Sequence, residues 1–251
     1  MKVKKKYGEM FLLPSLFSLT NLFFGFLSIQ MSLRGQFRWA AMWIIVAAVM
    51  DGFDGIVARA TKSQSDFGTE LDSLSDAVSF GVASSLLIYL WGLDRTGAPG
   101  LFFSFIFLSA GVLRLARYNV RTKAVPDRRF YQGLTVPSAA MFLSSLPFLH
   151  PAVVLSKRSS FLFALLVLFI SFCMISTLPY RNFINALFNR RIDIRTALSL
   201  AIVVCGLIFY PKIFMVIFMS VNVLSGPAVA AARAFKKLSA RRKLRPKEIR
   251  S

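Results

Sequence analysis

The chain has 251 residues, 56% of them hydrophobic and 26 of them phenylalanine, which leaves too few polar side chains to cover a water-soluble globule. Its formal net charge of +20, from 31 Lys and Arg against 11 acids, invites a nucleic-acid reading. The basic residues instead gather between apolar runs and at the chain ends, the pattern of loop charge around membrane spans and of contact with anionic lipid, so no nucleic-acid partner is expected. Cys173 and Cys205 stand apart inside apolar runs with no histidine cluster beside them, which excludes a disulfide scaffold and a zinc site.

A bilayer core of about 30 Å takes about 20 apolar residues per helix, and backbone polar groups inside lipid demand helices rather than open strands. The expected fold is therefore all-α, a polytopic transmembrane bundle of about eight helices. The first run, 11–33, follows Lys2, Lys4, Lys5 and Lys6 as a signal peptide would, but it has no small-residue cleavage site and reads as a retained helix. Further runs follow at 37–60, 69–92, 99–120, 132–150, 159–178, 195–209 and 212–231. Only Tyr210, Pro211 and Lys212 separate the last two, which form either a hairpin or one kinked element.

Eight passes put both termini on one side. Arg34, Arg38, Arg95, Lys157, Arg158 and Lys212 then fall on the opposite side, and every other Lys and Arg falls with the termini. That asymmetry predicts cytoplasmic termini in the cell (inner) membrane. Residues 1–231 read as one membrane-embedded domain and 232–251 as a basic cytoplasmic tail, with 236–251 charged enough to be disordered.

Of the 11 acids, Asp51, Asp54, Asp66, Glu70, Asp72 and Asp76 crowd together where the second and third helices meet. An ionised carboxylate at membrane depth costs several kcal/mol unless it pairs, faces water or binds a cation. Asp51 and Asp54 are three apart and Asp72 and Asp76 four apart, so each pair projects from one helix face. Four oxygen donors on two converging faces suit hard divalent ions such as Mg²⁺ or Mn²⁺. Two such ions could clamp a diphosphate in a polar cavity at the cytoplasmic side, which predicts phosphoryl-transfer chemistry. A bland alternative, helix-end carboxylates that cap amides or pair with Arg59 and Lys62, accounts for one or two acids but not for four at helical spacing. Asp66 and Glu70, nearer the loop, read as a cap or first-turn charges. Gly52, Gly55 and Gly68 remove bulk where a phosphate must approach backbone, and Arg59, one turn beyond Gly55, reads equally as a phosphate ligand or a snorkelling cation.

Residues 51–76, DGFDGIVARATKSQSDFGTELDSLSD, carry the pattern DxxDGxxAR, eight residues, then GxxxDxxxD. This resembles the signature of the CDP-alcohol phosphotransferase family at every signature position. The resemblance implies two divalent ions, Mg²⁺ or Mn²⁺, held by Asp51, Asp54, Asp72 and Asp76, with Asp76 also the base that activates an acceptor hydroxyl. It implies CDP contacts from Gly55, Arg59 and Ser65 and from the start of the first helix at Ser15 and Ser18. Taken alone, those three serines are more often helix caps. It also implies CMP release from CDP-diacylglycerol and a homodimer. No Ser/His/Asp or Cys/His arrangement competes, since the only histidine is His150.

Outside the signature, LPSLFSLTNLFFGF near the start, GVLRLARYN at 111–119 and FYQGLTVPSAA at 130–140 resemble the family's bacterial phosphatidylserine synthase branch. That implies L-serine as acceptor. Arg114 and Arg117 are candidates for its carboxylate or for a lipid phosphate, and read otherwise as loop anchors. Asn119 and Gln132 are candidates for the acceptor pocket and read equally as caps. Thr135 stands where that branch usually has proline. Glycerol-3-phosphate is the rival acceptor, with Arg128 and Arg129 as spare cations. An ion or metal transporter is the rival of a different class, although its acids should trace a path across the bilayer rather than gather at one end.

Overall fold

The computed structural model describes residues 12–61, 65–124, 130–152, 156–181, 206 and 209–243. Helices α1 (Leu12–Leu33) and α2 (Phe37–Thr61) form an antiparallel hairpin. Helix α3 runs through Asp66–Thr96, α4 is Ala98–Ala124, α5 is Val136–Leu149, α6 is Lys157–Ile175 and α7 is Pro211–Lys243. Strands β1 (Phe130–Gln132) and β2 (Pro179–Arg181) pair antiparallel, Tyr131 opposite Tyr180, in a small ribbon.

Among the described residues six helices, all but α5, are long and apolar enough to cross a membrane. The expected bundle is present, and the count of eight is not confirmed among the described residues. The run at 132–150 becomes a helix of 14 residues, about 21 Å at 1.5 Å per residue and short of the bilayer core. Its start is fixed by Thr135, which caps the helix by accepting from the Ser138 amide, and by a proline in the first turn. The run at 195–209 lies almost wholly outside the described residues. A second difference concerns the expected tail. Helix α7 continues past 231 to Lys243, because AAARAFKKLSARRK holds good helix formers and neither glycine nor proline.

Lipid is as apolar as leucine, so small residues and polar contacts, rather than apolar area, draw membrane helices together. Helix α2 follows that rule with Ala40, Ala41, Ile44 and Ala47 fully buried along one face. Phe24 of α1 stacks on Trp43 of α2, with centroids 5.3 Å apart. Helix α3 is the most enclosed span. It is α-helical over Asp66–Asp76 and Ala83–Ile88 but π-wound over Ala77–Val82 and Tyr89–Leu93. At its far end the Trp91 indole N–H donates to the His150 carbonyl at 2.9 Å.

Helix α7 contains Pro227, which has no N–H to offer the Val223 carbonyl one turn earlier. The Tyr180 hydroxyl donates to that carbonyl at 3.2 Å. Burial raises the Tyr180 hydroxyl above its usual range, so it keeps its proton. Tyr180→Phe should therefore lower stability by about 1–2 kcal/mol, the cost of leaving a buried acceptor unmet, measured by thermal unfolding in detergent. Unchanged unfolding would mean that the carbonyl finds water instead.

Candidate active site and metal centre

Helices α1, α2 and α3 build the site, and the close approach of α1 to α3 fixes its geometry. A Cβ on Gly25 of α1 would lie 2.6 Å from the Ser79 Cα and 2.7 Å from its Cβ. Only glycine admits that contact. The approach lets the Ser79 hydroxyl donate to the Asn21 carbonyl at 3.0 Å. The fully buried Asn21 side chain in turn donates from Nδ2 to Asp76 Oδ1 at 3.1 Å. One turn earlier on α1, Ser18 Oγ donates to Asp54 Oδ2 at 3.1 Å.

Among the described residues, Asp51, Asp72 and Asp76 bring carboxylate oxygens within 4.8 Å of one another. Asp54 is buried beside them, and the negative charges of Asp72 and Asp51 act on it. Three or four carboxylates so close repel one another strongly in a low-dielectric setting. Among the described residues, a positive charge that acts on Asp51 is the buried guanidinium of Arg114, on α4. Asp72 Oδ1 is buried and, among the described residues, meets no hydrogen-bond donor. An all-oxygen donor set of this kind, with acceptor capacity left over, fits a hard divalent cation.

At Gly52 and Gly55 a Cβ would meet, among the described residues, nothing within 4 Å beyond the local backbone of its own helix. Helix packing therefore does not require them, and glycine inside a helix costs roughly 0.5–1 kcal/mol relative to alanine. The space beside Asp51 and Asp54 is what their missing side chains leave clear.

The remaining candidates divide. Ser15 is buried on α1, three residues from Ser18. Ser65 caps α3, its Oγ accepting from the Gly68 amide at 3.0 Å. Asp66 lies exposed in the first turn of that helix. Arg117 is engaged elsewhere, donating to the carbonyls of Met174, Ile175 and Ser176 at the C-terminal end of α6. It satisfies acceptors that a helix end leaves open. Gly133, with φ +80, fits against that same end, its amide donating to the Leu178 carbonyl at 2.9 Å. Asn119 reaches α3, at Ser73 and Glu70. The side chains of Arg59 and Gln132 lie outside the described residues. Sequence reasoning missed Asn21, whose only signal is an amide in an apolar run three residues after Ser18.

The sequence pattern of CDP-alcohol phosphatidyltransferases matches residues 11–175. The CDP-diacylglycerol–serine O-phosphatidyltransferase of Helicobacter pylori is 32% identical over 197 residues, 78% of this chain and 83% of the relative. The enzyme of the same name from Bacillus subtilis is 32% identical over 171 residues, 68% of this chain and 90% of its own length. The archaetidylserine synthase of Methanothermobacter thermautotrophicus is 36% identical over 178 residues, 70% and 72% of the two chains. With the aspartate pattern, the helices that carry it and more than half of the chain matched, the protein belongs to the CDP-alcohol phosphatidyltransferase family.

Proposed function

We propose that the protein is a phospholipid-biosynthetic enzyme that transfers the phosphatidyl group of CDP-diacylglycerol to L-serine, giving phosphatidylserine and CMP. The observation that carries the reading is the convergence of Asp51, Asp72 and Asp76 from two membrane helices at one end of the bundle. The serine-transferring names of its relatives favour serine as the acceptor.

Asp51, Asp72 and Asp76, with Asp54 beside them, are the residues that would hold divalent metal, Mg²⁺ or Mn²⁺, as two ions. When bound, the metal offsets the charge of the diphosphate and favours departure of the phosphate oxygen. Asp76 takes the proton of the serine hydroxyl. The hydroxyl oxygen then forms a bond to the phosphorus esterified to diacylglycerol. The bond from that phosphorus to the bridging oxygen breaks, and CMP leaves with the electron pair. Asn21 keeps the Asp76 carboxylate in one orientation by holding one of its oxygens. Arg114, a buried cation acting on Asp51, is suited to a carboxylate or phosphate oxygen of a substrate through charge-assisted bonds. Gly52 and Gly55 keep backbone accessible to the CDP moiety, with Arg59, Ser15, Ser18 and Ser65 around it. Arg117 and Asn119 make their described contacts with protein, at the end of α6 and on α3. The reading includes cytoplasmic termini in the inner membrane, a membrane domain over 1–231 and a homodimer.

An acceptor screen in detergent, following CMP release from CDP-diacylglycerol, tests it. Serine should give the fastest release and a chelator should stop it. Equal or faster release with glycerol-3-phosphate would remove serine as the acceptor.

A further inference from the structure

We propose that Asn119 is a positioning residue: with Ser73 it forms a clasp between α4 and α3 that sets the rotation of the Asp72 and Asp76 face and thereby the affinity of the aspartate cluster for a divalent cation. The inference deepens the metal-dependent reading above and rests on it. Asn119 Nδ2 donates to Ser73 Oγ at 2.9 Å and lies 3.4 Å from Glu70 Oε2. The single Ser73 hydroxyl proton is shared between Asn119 Oδ1, at 3.3 Å, and the Thr69 carbonyl, at 3.0 Å. Both ends of the Asn119 amide are thus directed at one stretch of α3.

Position gives the clasp its leverage. At 3.6 residues per turn, Ser73 projects about 100° around the helix from Asp72 and about 60° from Asp76. Tension on Ser73 therefore acts around the helix axis and turns the carboxylates rather than sliding them. On the other side the amide of Asn21 holds Asp76. Immediately after Asp76 the α-helix gives way to the π-wound Ala77–Val82, so the ligand-bearing turns do not share one continuous α ladder with the rest of the span. Two asparagines, from α1 and α4, bracket those turns from opposite flanks. Neither is a metal ligand. Each acts through the group it touches, as partners behind metal ligands commonly do, with changes of about 10- to 100-fold in metal affinity when they are removed.

The test is a Mn²⁺ titration of the purified full-length protein in detergent without substrates, read by electron paramagnetic resonance, together with serine kinetics at saturating Mn²⁺. Asn119→Ala and Ser73→Ala should each weaken Mn²⁺ binding about tenfold. The double variant should be no worse than either single, because both remove one interaction. Ser73→Thr, which keeps the hydroxyl, should bind Mn²⁺ as the wild type does and guards against misfolding of the alanine variants. The serine KM at saturating metal should stay unchanged. A raised serine KM in Asn119→Ala with wild-type Mn²⁺ affinity would make Asn119 an acceptor contact and overturn the proposal. Additive losses, or a drop in thermal stability with unchanged Mn²⁺ affinity, would overturn it too. Asp72→Asn in the same titration separates the two readings: wild-type Mn²⁺ affinity there removes the metal reading itself rather than the clasp.

Discussion

Asp72→Asn is expected to lower CMP release by about a thousandfold or more, equivalent to about 4 kcal/mol of transition-state stabilisation. The substitution conserves volume, so packing does not explain a loss. What changes is one oxygen, replaced by an amide nitrogen that donates where the native group accepts, in a side chain whose Oδ1 is buried and meets no hydrogen-bond donor among the described residues. A neutral amide is also a poorer ligand for a hard cation than a carboxylate. The same change relieves repulsion among Asp51, Asp54, Asp72 and Asp76, so the metal-free variant should unfold at a higher temperature than the metal-free wild type. Added Mn²⁺ should raise the unfolding temperature of the wild type by mass action and that of the variant little or not at all. Thermal unfolding with and without Mn²⁺, beside the CMP assay, reads both effects. Wild-type turnover in the variant would remove Asp72 from the metal site, and a lowered metal-free unfolding temperature would show that the carboxylate stabilises the fold by other means.

Gly25→Ala should be the most damaging single-methyl change in the first helix. The new Cβ would lie 2.6 Å from the Ser79 Cα, and a backbone atom cannot rotate out of the way, so α1 and α3 must separate. Overpacking of this kind costs about 1–3 kcal/mol. Separation also breaks the Ser79 to Asn21 bond and displaces the Asn21 amide from Asp76, so activity should fall further than the lost folded fraction accounts for. Gly52→Ala is the contrast, because among the described residues nothing beyond the local helix backbone stands within 4 Å of its Cβ. Its stability should hold or rise by roughly 0.5–1 kcal/mol from helix propensity, while turnover falls if nucleotide uses that space. Thermal unfolding and CMP release on both variants give the comparison. Wild-type activity in Gly25→Ala would mean that the helices can part without disturbing Asp76.

The spacing of Asp51, Asp54, Asp72 and Asp76 made the acidic centre readable from sequence, because burying carboxylates is expensive and helical periodicity says which of them share a face. Helix existence was readable for the same reason, since apolar runs of span length admit one solution in lipid. Periodicity gives a side chain's direction but not what the facing element offers there. Arg117 and Asn119 thus stood as acceptor candidates beside anchor and cap readings, and the structure presents the carbonyls of the α6 end to one and the Ser73 hydroxyl to the other. Asn21 carries no charge and so raised no question of cost, although it touches the proposed base directly. The shortness of α5 was written in Thr135 and a following proline, turn chemistry that a hydropathy reading passes over. The continuation of helix α7 past 231 was hidden by charge, because lysine and arginine count against structure in composition yet extend a helix well when one is already anchored.

The wide turn at Ala77–Val82 bears on how kindred sequences are lined up against this one. Hydrogen bonds there span five residues instead of four, so one surplus residue is taken up within a single turn while the flanking α segments keep their facing. A kindred chain one residue shorter in this stretch would close into ordinary α-helix there, with its carboxylates still turned toward the first two helices and its lower half still seated in the bundle. A one-residue gap between Asp76 and Ala83 is therefore cheap, whereas the same gap between Asp72 and Asp76 would swing one carboxylate by about 100° and dismantle the centre.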